Sequence, residues 1–366
     1  MKKYQSLYVA ASRQHVGKTT STLGLAYCLM RQGIDVGYSK PVGQSFVDLS
    51  ELRVDKDTIL FADLIRFDIN PKIHSPVILG KGATTRYLDD PDAFQFKDRI
   101  LEARETLENN YELPIYEGTG HPGVGSVVEL SNATVAKMVK AKVIFIAEGG
   151  IGSTIDMLNM CLGLFREQNV EILGVIVNKV RPDKIEKVQE YLPRYLKPKG
   201  IPLLGVLPYD KSLAYPVIKT VSKSVNGIVL ENEDCLDNKV ADILAGSVLD
   251  RSKIEERSDL LLVVSSPKLG EAIQKVKQIS EELKLPKSPL SGVIVTGKGE
   301  LDPAAISYIQ EQRVPLIHTD LDTYGCVLKI SRIEVKINRN TPWKVKRAIE
   351  LIEENVDLQY ILKSLK

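Results

Sequence analysis

Short apolar runs alternate with longer amphipathic stretches over the first 210 residues of the chain. The apolar runs, rich in β-branched residues, cover residues 4–11, 34–39, 113–117, 142–147, 172–178 and 202–207. The periodic or charged stretches between them cover residues 18–31, 92–109, 132–139, 153–168 and 183–195. This alternation predicts an α/β fold with a doubly wound, mostly parallel sheet, in which ligands bind beyond the carboxyl ends of the strands.

A second, smaller set of elements follows residue 210. Its predicted strands are residues 227–230, 260–265, 292–296 and 316–319, and its predicted helices are residues 238–245, 268–283 and 303–312. Beyond it lie a basic, β-branched stretch at 329–337 and a helical pattern at 342–354. We therefore expect three segments: a sheet domain at 1–210, a smaller α/β unit at 211–325, and a C-terminal strand and helix at 326–366 that packs back on the body.

Composition narrows the class of protein. A chain of 366 residues exceeds the usual span of one core, and 43% hydrophobic with 26% charged residues is typical of a globular protein. The formal charge of +2 balances 49 basic against 47 acidic residues. Because no broad basic field results, nucleic acid and anionic membranes are not expected as partners.

The cysteines and the start of the chain indicate a compartment. Cys28, Cys161, Cys235 and Cys326 lie too far apart to predict a zinc pair or a disulfide framework. The short apolar run at residues 4–11 predicts a first strand and not an export signal, and no run approaches the roughly 20 residues needed to cross a bilayer. We expect a cytoplasmic protein.

Residues 12–20, between the first strand and the first helix, predict a phosphate-binding loop for a nucleoside triphosphate. Gly17 allows close approach of the backbone, Lys18 provides a charge between the outer phosphates, and the Thr19 hydroxyl can bind Mg²⁺. The full pattern requires glycine where Ser12 stands, and the alternative is a polar turn that opens a helix. The nucleotide-binding candidates are Arg13, Gln14, His15, Val16, Gly17, Lys18, Thr19 and Thr20.

Charged residues follow the neighbouring strands. Lys40 can reach the phosphates, or it can be a solvated loop residue. Thr19 with carboxylates from Asp57 and Glu117 forms a sufficient magnesium site. Asp57 also suits a helix N-cap, whereas Glu117 at the end of a buried strand is costly unless it is paired or binds a metal.

Three further loops border the same predicted crevice. His121 can transfer protons, but a lone loop histidine is more often a surface residue, and we do not expect it to be catalytic. Residues 148–153 are glycine-rich and can simply form a turn. Asn178 can bind the N6 and N7 edge of adenine or cap its strand, and spacing alone does not separate these roles.

Several of these segments resemble the signature of dethiobiotin synthetase-like P-loop ATPases. They are residues 16–20, 40–42, 117–118, 174–179 and 204–208, and the resemblance extends over residues 1 to about 210. It implies ATP and Mg²⁺ as cofactors, with Lys18 and Lys40 as catalytic residues that hold phosphates and a carbamate or carboxylate. It further implies that Asp57 and Glu117 bind the metal, and that Asn178 and Pro208 belong to the adenine nucleotide site.

The second part, 211–325, resembles a DRTGG domain through residues 293–297, Pro303 and residues 321–324, although the Asp-Arg-Thr-Gly-Gly string itself is absent. The two parts together resemble the N-terminal region of long bacterial phosphotransacetylases. This resemblance implies a regulatory role.

The phosphate loop also departs from the dethiobiotin synthetase pattern. Ala11 and Ser12 replace Gly-Thr, Arg13 replaces an acidic residue, and Gln14 replaces a threonine. Arg13 stands where related deviant-loop ATPases place a lysine contributed across a dimer. These departures weaken the expectation of a diamino acid substrate more than that of ATP, and we expect a homo-oligomer of two or more copies.

Two functions follow from the sequence. The favoured one is a Mg²⁺-dependent ATP-binding module, an ATPase, that responds to nucleotide and regulates a partner. The alternative is an ATP-dependent ligase of dethiobiotin synthetase or cobyrinic acid a,c-diamide synthase type, which phosphorylates a small carboxylate that an amine then attacks. Glutamine-fed amidation is disfavoured, because Cys235, Cys326 and His318 lack the context of a glutaminase site.

Overall fold

The computed structural model describes residues 3–49, 52–246, 249, 251–256, 258–333 and 335–366. The chain divides into two compact units, one formed by Met1–Asp210 with Ile337–Lys366 and the other by Lys211–Lys336. Among the described residues, no helix combines the length and the apolar character that a membrane crossing requires.

The elements of the first unit up to residue 210 contain every strand predicted there, with small shifts at the ends. The strands are β1 Leu7–Ala11, β2 Val36–Ser39, β3 Val42–Gly43, β4 Phe46–Leu49, β5 Leu52–Asp55, β6 Val77–Ile78, β7 Leu113–Glu117, β8 Lys142–Glu148, β9 Ile172–Val180 and β10 Leu203–Pro208. The helices are α1 Lys18–Arg31, α2 Lys56–Ile65, α3 Pro71–His74, α4 Ala83–Asp89, α5 Phe96–Asn110, α6 Asn132–Met138, α7 Gly152–Glu167 and α8 Ile185–Leu196.

The central sheet of this unit has the strand order β10-β9-β8-β1-β7-β2, and its neighbouring strands all pair in parallel. Side chains alternate between two apolar layers: Tyr8 and Ala10 pack with α5 to α8, whereas Leu7 and Val9 pack with α1 and α2. Strands covered on both faces read as nearly continuous apolar runs. The predicted parallel α/β sheet is therefore confirmed.

The second unit is built around a smaller sheet. Its strands are β11 Ile228–Glu231, β12 Asp242–Ala245, β13 Leu260–Ser265, β14 Leu290–Thr296 and β15 Leu316–Thr319. Its helices are α9 Ile218–Ser224, α10 Arg251–Glu256, α11 Leu269–Glu282, α12 Pro303–Glu311 and α13 Thr323–Ser331. The strand order is β11-β15-β14-β13-β12, and only β11 is antiparallel to its neighbour among these described strands.

One predicted helix of this unit is wrong. Residues 238–245 have helical spacing, yet β12 occupies the second half of this stretch and pairs in parallel with β13. Val240, Ile243 and Leu244 lie at i, i+3 and i+4, which is helical spacing, but so short an apolar run can equally form a strand. The open edge of β13 supplies the hydrogen-bond partners that decide between the two.

The last helices, α14 Pro342–Asn355 and α15 Leu358–Leu365, belong to the first unit. A Cβ atom on Gly24 of α1 would lie 2.8 Å from the backbone oxygen of Ala348, so this glycine allows α1 and α14 to pack closely. The Lys142 side chain donates a hydrogen bond of 3.0 Å to the Ser364 carbonyl.

The structure divides the predicted segment 326–366 differently. Residues 326–331 lie in α13 of the second unit, whereas residues 337–366 join the first. The strand predicted at 329–337 is wrong for the described residues, because 329–331 close α13 and 332, 333 and 335–337 form no strand. Residue 334 lies outside the described residues.

Candidate functional site

The predicted loop follows β1 and leads directly into α1. The Ser12 amide donates to the Ile146 carbonyl at 3.1 Å, which directs the loop past the end of β8. His15 and Gly17 have positive φ values of 62° and 93°, and Gly17 is the residue before α1. A turn of this kind followed by a helix N-terminus presents backbone N–H groups to an anion.

Asn178 at the end of β9 holds this loop. Its Nδ2 donates to the Val16 carbonyl at 2.8 Å, and its Oδ1 accepts from the Lys179 amide at 2.8 Å. A Cβ atom on Gly17 would overlap Nδ2 of Asn178, so only glycine fits beneath this contact. Pro208 of β10 pairs with Val180 of β9, which places it at the same edge as Asn178. Their contact with adenine stays a prediction.

The exposed rim of the loop carries cations. Arg13 forms an ion pair with Glu148, and Lys179 Nζ donates to the His15 carbonyl and lies 3.7 Å from Glu148 Oε1. Gln14 is also exposed. Glu148 was predicted only to border the crevice. It holds the cations Arg13 and Lys179 at the rim of the loop by charge.

Beneath the loop, the predicted metal and phosphate residues come together. Thr19 Oγ1 donates to Glu117 Oε1 at 2.7 Å and lies 3.5 Å from Asp57 Oδ2. Lys40 Nζ pairs with Asp57, lies 3.1 Å from Asp55 Oδ1, and lies 3.9 Å from Glu117 Oε1. The solvated alternative for Lys40 is wrong, since its side chain is 9% exposed.

Asp55 is the member of this cluster that sequence analysis did not select. It is fully buried, and its Oδ1 accepts from the Asp57 amide at 3.0 Å as the N-cap of α2. The N-cap alternative for Asp57 is therefore wrong, because α2 begins one residue before Asp57. The Oδ2 atom of Asp55 is buried without a hydrogen-bond partner among the described residues.

The cluster contains two ammonium groups and three carboxylates. Burial lowers the pKa of Lys18, while Glu117 acts in the opposite direction. Burial raises the pKa of Glu117. Burial also acts to lower the pKa of Lys40, but Asp57, Glu117 and Asp55 outweigh it and raise that pKa. With all groups ionised the cluster has an excess of one negative charge, which favours an additional cation.

The donor set fits Mg²⁺ when phosphate oxygens complete it. Among the described residues, no three His, Cys, Asp or Glu side chains are placed to hold a metal ion by themselves. Thr19, Asp57 and Glu117 offer the hard oxygen ligands that Mg²⁺ prefers, and Mg²⁺ is usually held by one or two carboxylates plus phosphates and waters. The orphaned oxygen of Asp55 adds negative potential beside them.

Asn132 orders the loop after β7. Its side chain exchanges hydrogen bonds with the Thr119 backbone at 2.8 and 2.9 Å, donates to the His121 carbonyl, and accepts from the Tyr8 hydroxyl. His121 itself is exposed. The loop also brings the Gly120 carbonyl within 3.4 Å of Lys18 Nζ. No sequence signal marks Asn132, because it reads as an ordinary residue of a helix N-terminus.

Comparisons with known proteins agree with this geometry. A family model described as AAA domain matches residues 5–217. The chain is 22% identical to a phosphate acetyltransferase of Synechocystis over 99% of this chain and 52% of that relative. It is 28% identical to a cobyric acid synthase of Aliivibrio fischeri over 66% of this chain and 50% of the relative. It is 25% identical to an ATP-dependent dethiobiotin synthetase of Clostridium acetobutylicum over 56% of this chain and 86% of the relative. The chain thus spans about half the length of the phosphate acetyltransferases that it matches.

Proposed function

The chain belongs to the AAA-domain family of P-loop proteins, and on this premise we propose that it is a Mg²⁺-dependent ATP-binding module whose nucleotide state regulates a partner activity of phosphotransacetylase type. The observation that carries the proposal is the convergence of Thr19, Lys40, Asp57 and Glu117 beneath the loop that presents Lys18. Buried charges are costly unless they are paired or serve a ligand.

The loop amides and Lys18 would bind the outer phosphates of ATP. Phosphate oxygens provide a stronger anionic partner for Lys40 than the crowded carboxylates, so Lys40 would turn from Asp57 towards the γ-phosphate. On the adenine side, Asn178 and Pro208 would contact the base at the ends of β9 and β10. Arg13, Gln14 and His15 would lie along the phosphate chain on the exposed rim.

Thr19, Asp57 and Glu117 would hold Mg²⁺. The ion would neutralise charge on the β- and γ-phosphates, which the three carboxylates of the cluster would otherwise repel. A role in binding Mg²⁺ would account for the excess of carboxylates over lysines in the cluster.

The extent of similarity favours regulation over synthesis. Similarity to the phosphate acetyltransferase covers 99% of this chain, and therefore both units, whereas similarity to the dethiobiotin synthetase covers 56%. In a regulatory module, the binding energy of ATP shifts a conformational or assembly equilibrium. We further propose that the second unit is DRTGG-like and transmits that shift to a partner or to a second copy.

Ligation is a second candidate because Lys40 is buried beside the phosphate loop. A lysine in this place can hold a small carboxylate or carbamate while it accepts a phosphoryl group. A screen of small carboxylates and amines separates the two functions. A compound that raises ATP turnover many-fold supports ligation, whereas ATP-dependent changes in oligomer size without such a compound support regulation.

Calorimetry with ATP tests the nucleotide site directly. We expect binding that strengthens about tenfold or more on addition of Mg²⁺, and we expect Asp57→Asn to lose this increment. Asp63→Asn is a matched control, since Asp63 lies on the same helix and pairs with Arg339 at the surface. Absence of heat from ATP with Mg²⁺ would overturn the proposal.

A further inference from the structure

A cavity of about 300 Å³ lies at the amino ends of strands β2 and β7. Its walls come from the start of β2, the end of α2, helix α3 and the end of α5. The phosphate loop lies at the carboxyl edge of the same sheet. The cavity is therefore a separate site within the first unit, and the nucleotide does not occupy it.

The walls of the cavity are fixed by packing and backbone hydrogen bonds. The Tyr111 ring lies against Gly37, where a Cβ atom would come within 2.5 Å of Tyr111 Cδ2. The amides of Glu112 and Leu113 both donate to the Asp35 carbonyl at 3.0 Å. Arg66 ends α2 with a φ of 58° and donates its amide to the Ala62 carbonyl. The cavity is preformed, as small-molecule sites usually are.

The lining combines carboxylates with aromatic rings. Among the lining residues are two carboxylates, those of Asp35 and Asp68, and one guanidinium, that of Arg66. The rings of Phe67 and Tyr111 supply the apolar surface. Burial raises the pKa of Tyr111, and the negative charges of Asp35 and Asp68 raise it further. Negative charge beside ring faces is the chemistry that binds an organic cation.

Helix α3 connects the cavity wall by hydrogen bonds to the cluster of lysines and carboxylates beneath the phosphate loop, which is called the nucleotide cluster below. The Ile73 carbonyl, on a residue that lines the cavity, accepts from Ser39 Oγ at 2.8 Å. The His74 carbonyl accepts from the Lys40 amide at 3.0 Å and from Thr58 Oγ1 at 3.2 Å. A shift of α3 would therefore move the backbone of Lys40.

Aromatic rings form a second connection. Phe67 of the cavity packs on His74, with ring centroids 4.2 Å apart, and faces Tyr38 at 6.4 Å. Tyr38 stacks on Phe61 at 3.7 Å, and its hydroxyl donates to Glu117 Oε2 at 3.4 Å. Movement of Phe67 would be passed to a carboxylate of the nucleotide cluster.

We propose that this cavity is an effector site for a small organic amine with an apolar group, and that its occupation changes the affinity of the nucleotide site through α3 and the Phe67–Tyr38 stack. The amine would lie between Asp35 and Asp68, and its apolar group would pack on Tyr111 and Phe67. The effect on nucleotide affinity rests on the proposed function, whereas amine binding does not.

Benzylamine, benzyl alcohol and benzoate are the probes for the full chain, measured by calorimetry and by shifts of backbone amide resonances. We expect benzylamine to bind about tenfold more tightly than benzyl alcohol, and benzoate to bind most weakly, because only the ammonium group gains ion pairs with the carboxylates and a cation–π contact. The double variant Asp35→Asn with Asp68→Asn should lose the preference for the amine. Asp89→Asn, which changes an exposed carboxylate outside the cavity, should retain it. Equal binding of amine and alcohol, or a preference that survives in the double variant, would overturn the amine site.

The coupling is measured as the Kd of Mg·ATP with and without saturating benzylamine. We expect a change of about fivefold or more, and by reciprocity the same factor in the Kd of benzylamine when ATP is present. Identical ATP affinities would overturn the coupling. If ATP fails to bind while the amine preference and its loss in the double variant are intact, the amine site is supported and the proposed nucleotide function is overturned.

Discussion

The two sheets of this protein end differently at their carboxyl edges. In the first unit, β2 and β7 lead to buried charged groups, Lys40 and Glu117. In the second unit, the corresponding strand ends carry hydrogen-bonded hydroxyls: Ser266 Oγ donates to the Thr296 carbonyl at 3.3 Å, and Thr296 Oγ1 lies 3.0 Å from Thr323 Oγ1. Parallel strands thus lead to buried charged groups in one unit and to buried hydroxyls in the other.

The difference between the two edges indicates which of them is built to bind a ligand. A hydroxyl network costs little to bury because each group finds a partner. A cluster of ionised lysines and carboxylates loses hydration free energy of several kcal/mol per ion, which is recovered only through pairing or a ligand. We therefore assign ligand binding to the first edge and stability to the second, and matched substitutions test that assignment.

Lys18→Ala should have the largest effect. We expect loss of ATP affinity by about a thousandfold, since the lysine charge between the phosphates is removed, with little change in the free energy of unfolding because burial already disfavours this charge. Lys298→Ala, at an exposed loop position after β14, should leave ATP affinity unchanged. Isothermal titration measures the ATP affinity and denaturant unfolding measures the stability. Equal ATP affinities of the two variants would contradict a nucleotide site at the edge of the first sheet.

The glycines after strands of the two sheets give the next comparison. Gly17→Ala should weaken ATP binding about a hundredfold, because the new methyl would displace Asn178 and distort the loop. Gly297, with a φ of 70° and nothing within 4 Å of an added Cβ, should cost only about 1 kcal/mol of stability when replaced by alanine. If Gly17→Ala binds ATP normally, the hydrogen bond from Asn178 to the Val16 carbonyl is unimportant for the site.

Acid should destabilise the first unit through His74. Burial lowers the pKa of His74 from 6.5 to about 4. Between these values the unfolded chain binds more protons than the folded one, so stability is lost as pH falls from about 6.5 to 4. At pH 5 the loss relative to pH 7 should be about 2 kcal/mol. It should disappear in His74→Gln, which denaturant unfolding at both pH values would show; an unchanged pH dependence in the variant would exclude His74 as its source.

Glu117→Gln and Thr296→Val provide the smallest and most direct contrast. The first removes a proposed Mg²⁺ ligand and should abolish about a tenfold enhancement of ATP binding by Mg²⁺ while leaving stability equal or higher, since a buried charge is lost. The second removes a paired hydroxyl and should cost about 1 kcal/mol of stability with no effect on ATP. Reversal of these two results would refute the assignment of roles to the edges.

The sequence predicted the first unit well because its signals are local. Buried parallel strands are continuous apolar runs, and the rule that loops at one sheet edge meet was enough to bring Thr19, Lys40, Asp57 and Glu117 together. Asp55 and Asn132 were not predicted as site residues, because their roles depend on where α2 begins and on how the loop after β7 folds. The spacing of residues in the sequence specifies neither of these.

The failures in the second unit and the tail have a different cause. In the stretch that contains β12, pairing with β13 replaced the predicted helix. In the stretch at 329–337, residues 329–331 instead continue α13, because a short run of β-branched residues is compatible with either element. Likewise, the amphipathic face of α14 does not reveal that its partner is α1. Contacts between residues far apart in sequence, such as Gly24 with Ala348, were beyond the reach of periodicity.

The close fit of α14 on α1 has a consequence for biosynthesis. The second unit is one continuous stretch, whereas the first is interrupted by it. Since a ribosome releases residues in chain order, the inserted unit can complete its core while α1 still lacks its cover. During that interval the apolar layer beside Gly24 is open to chaperones and to other nascent chains, so slower translation of residues 337–366 should increase aggregation of an otherwise normal product.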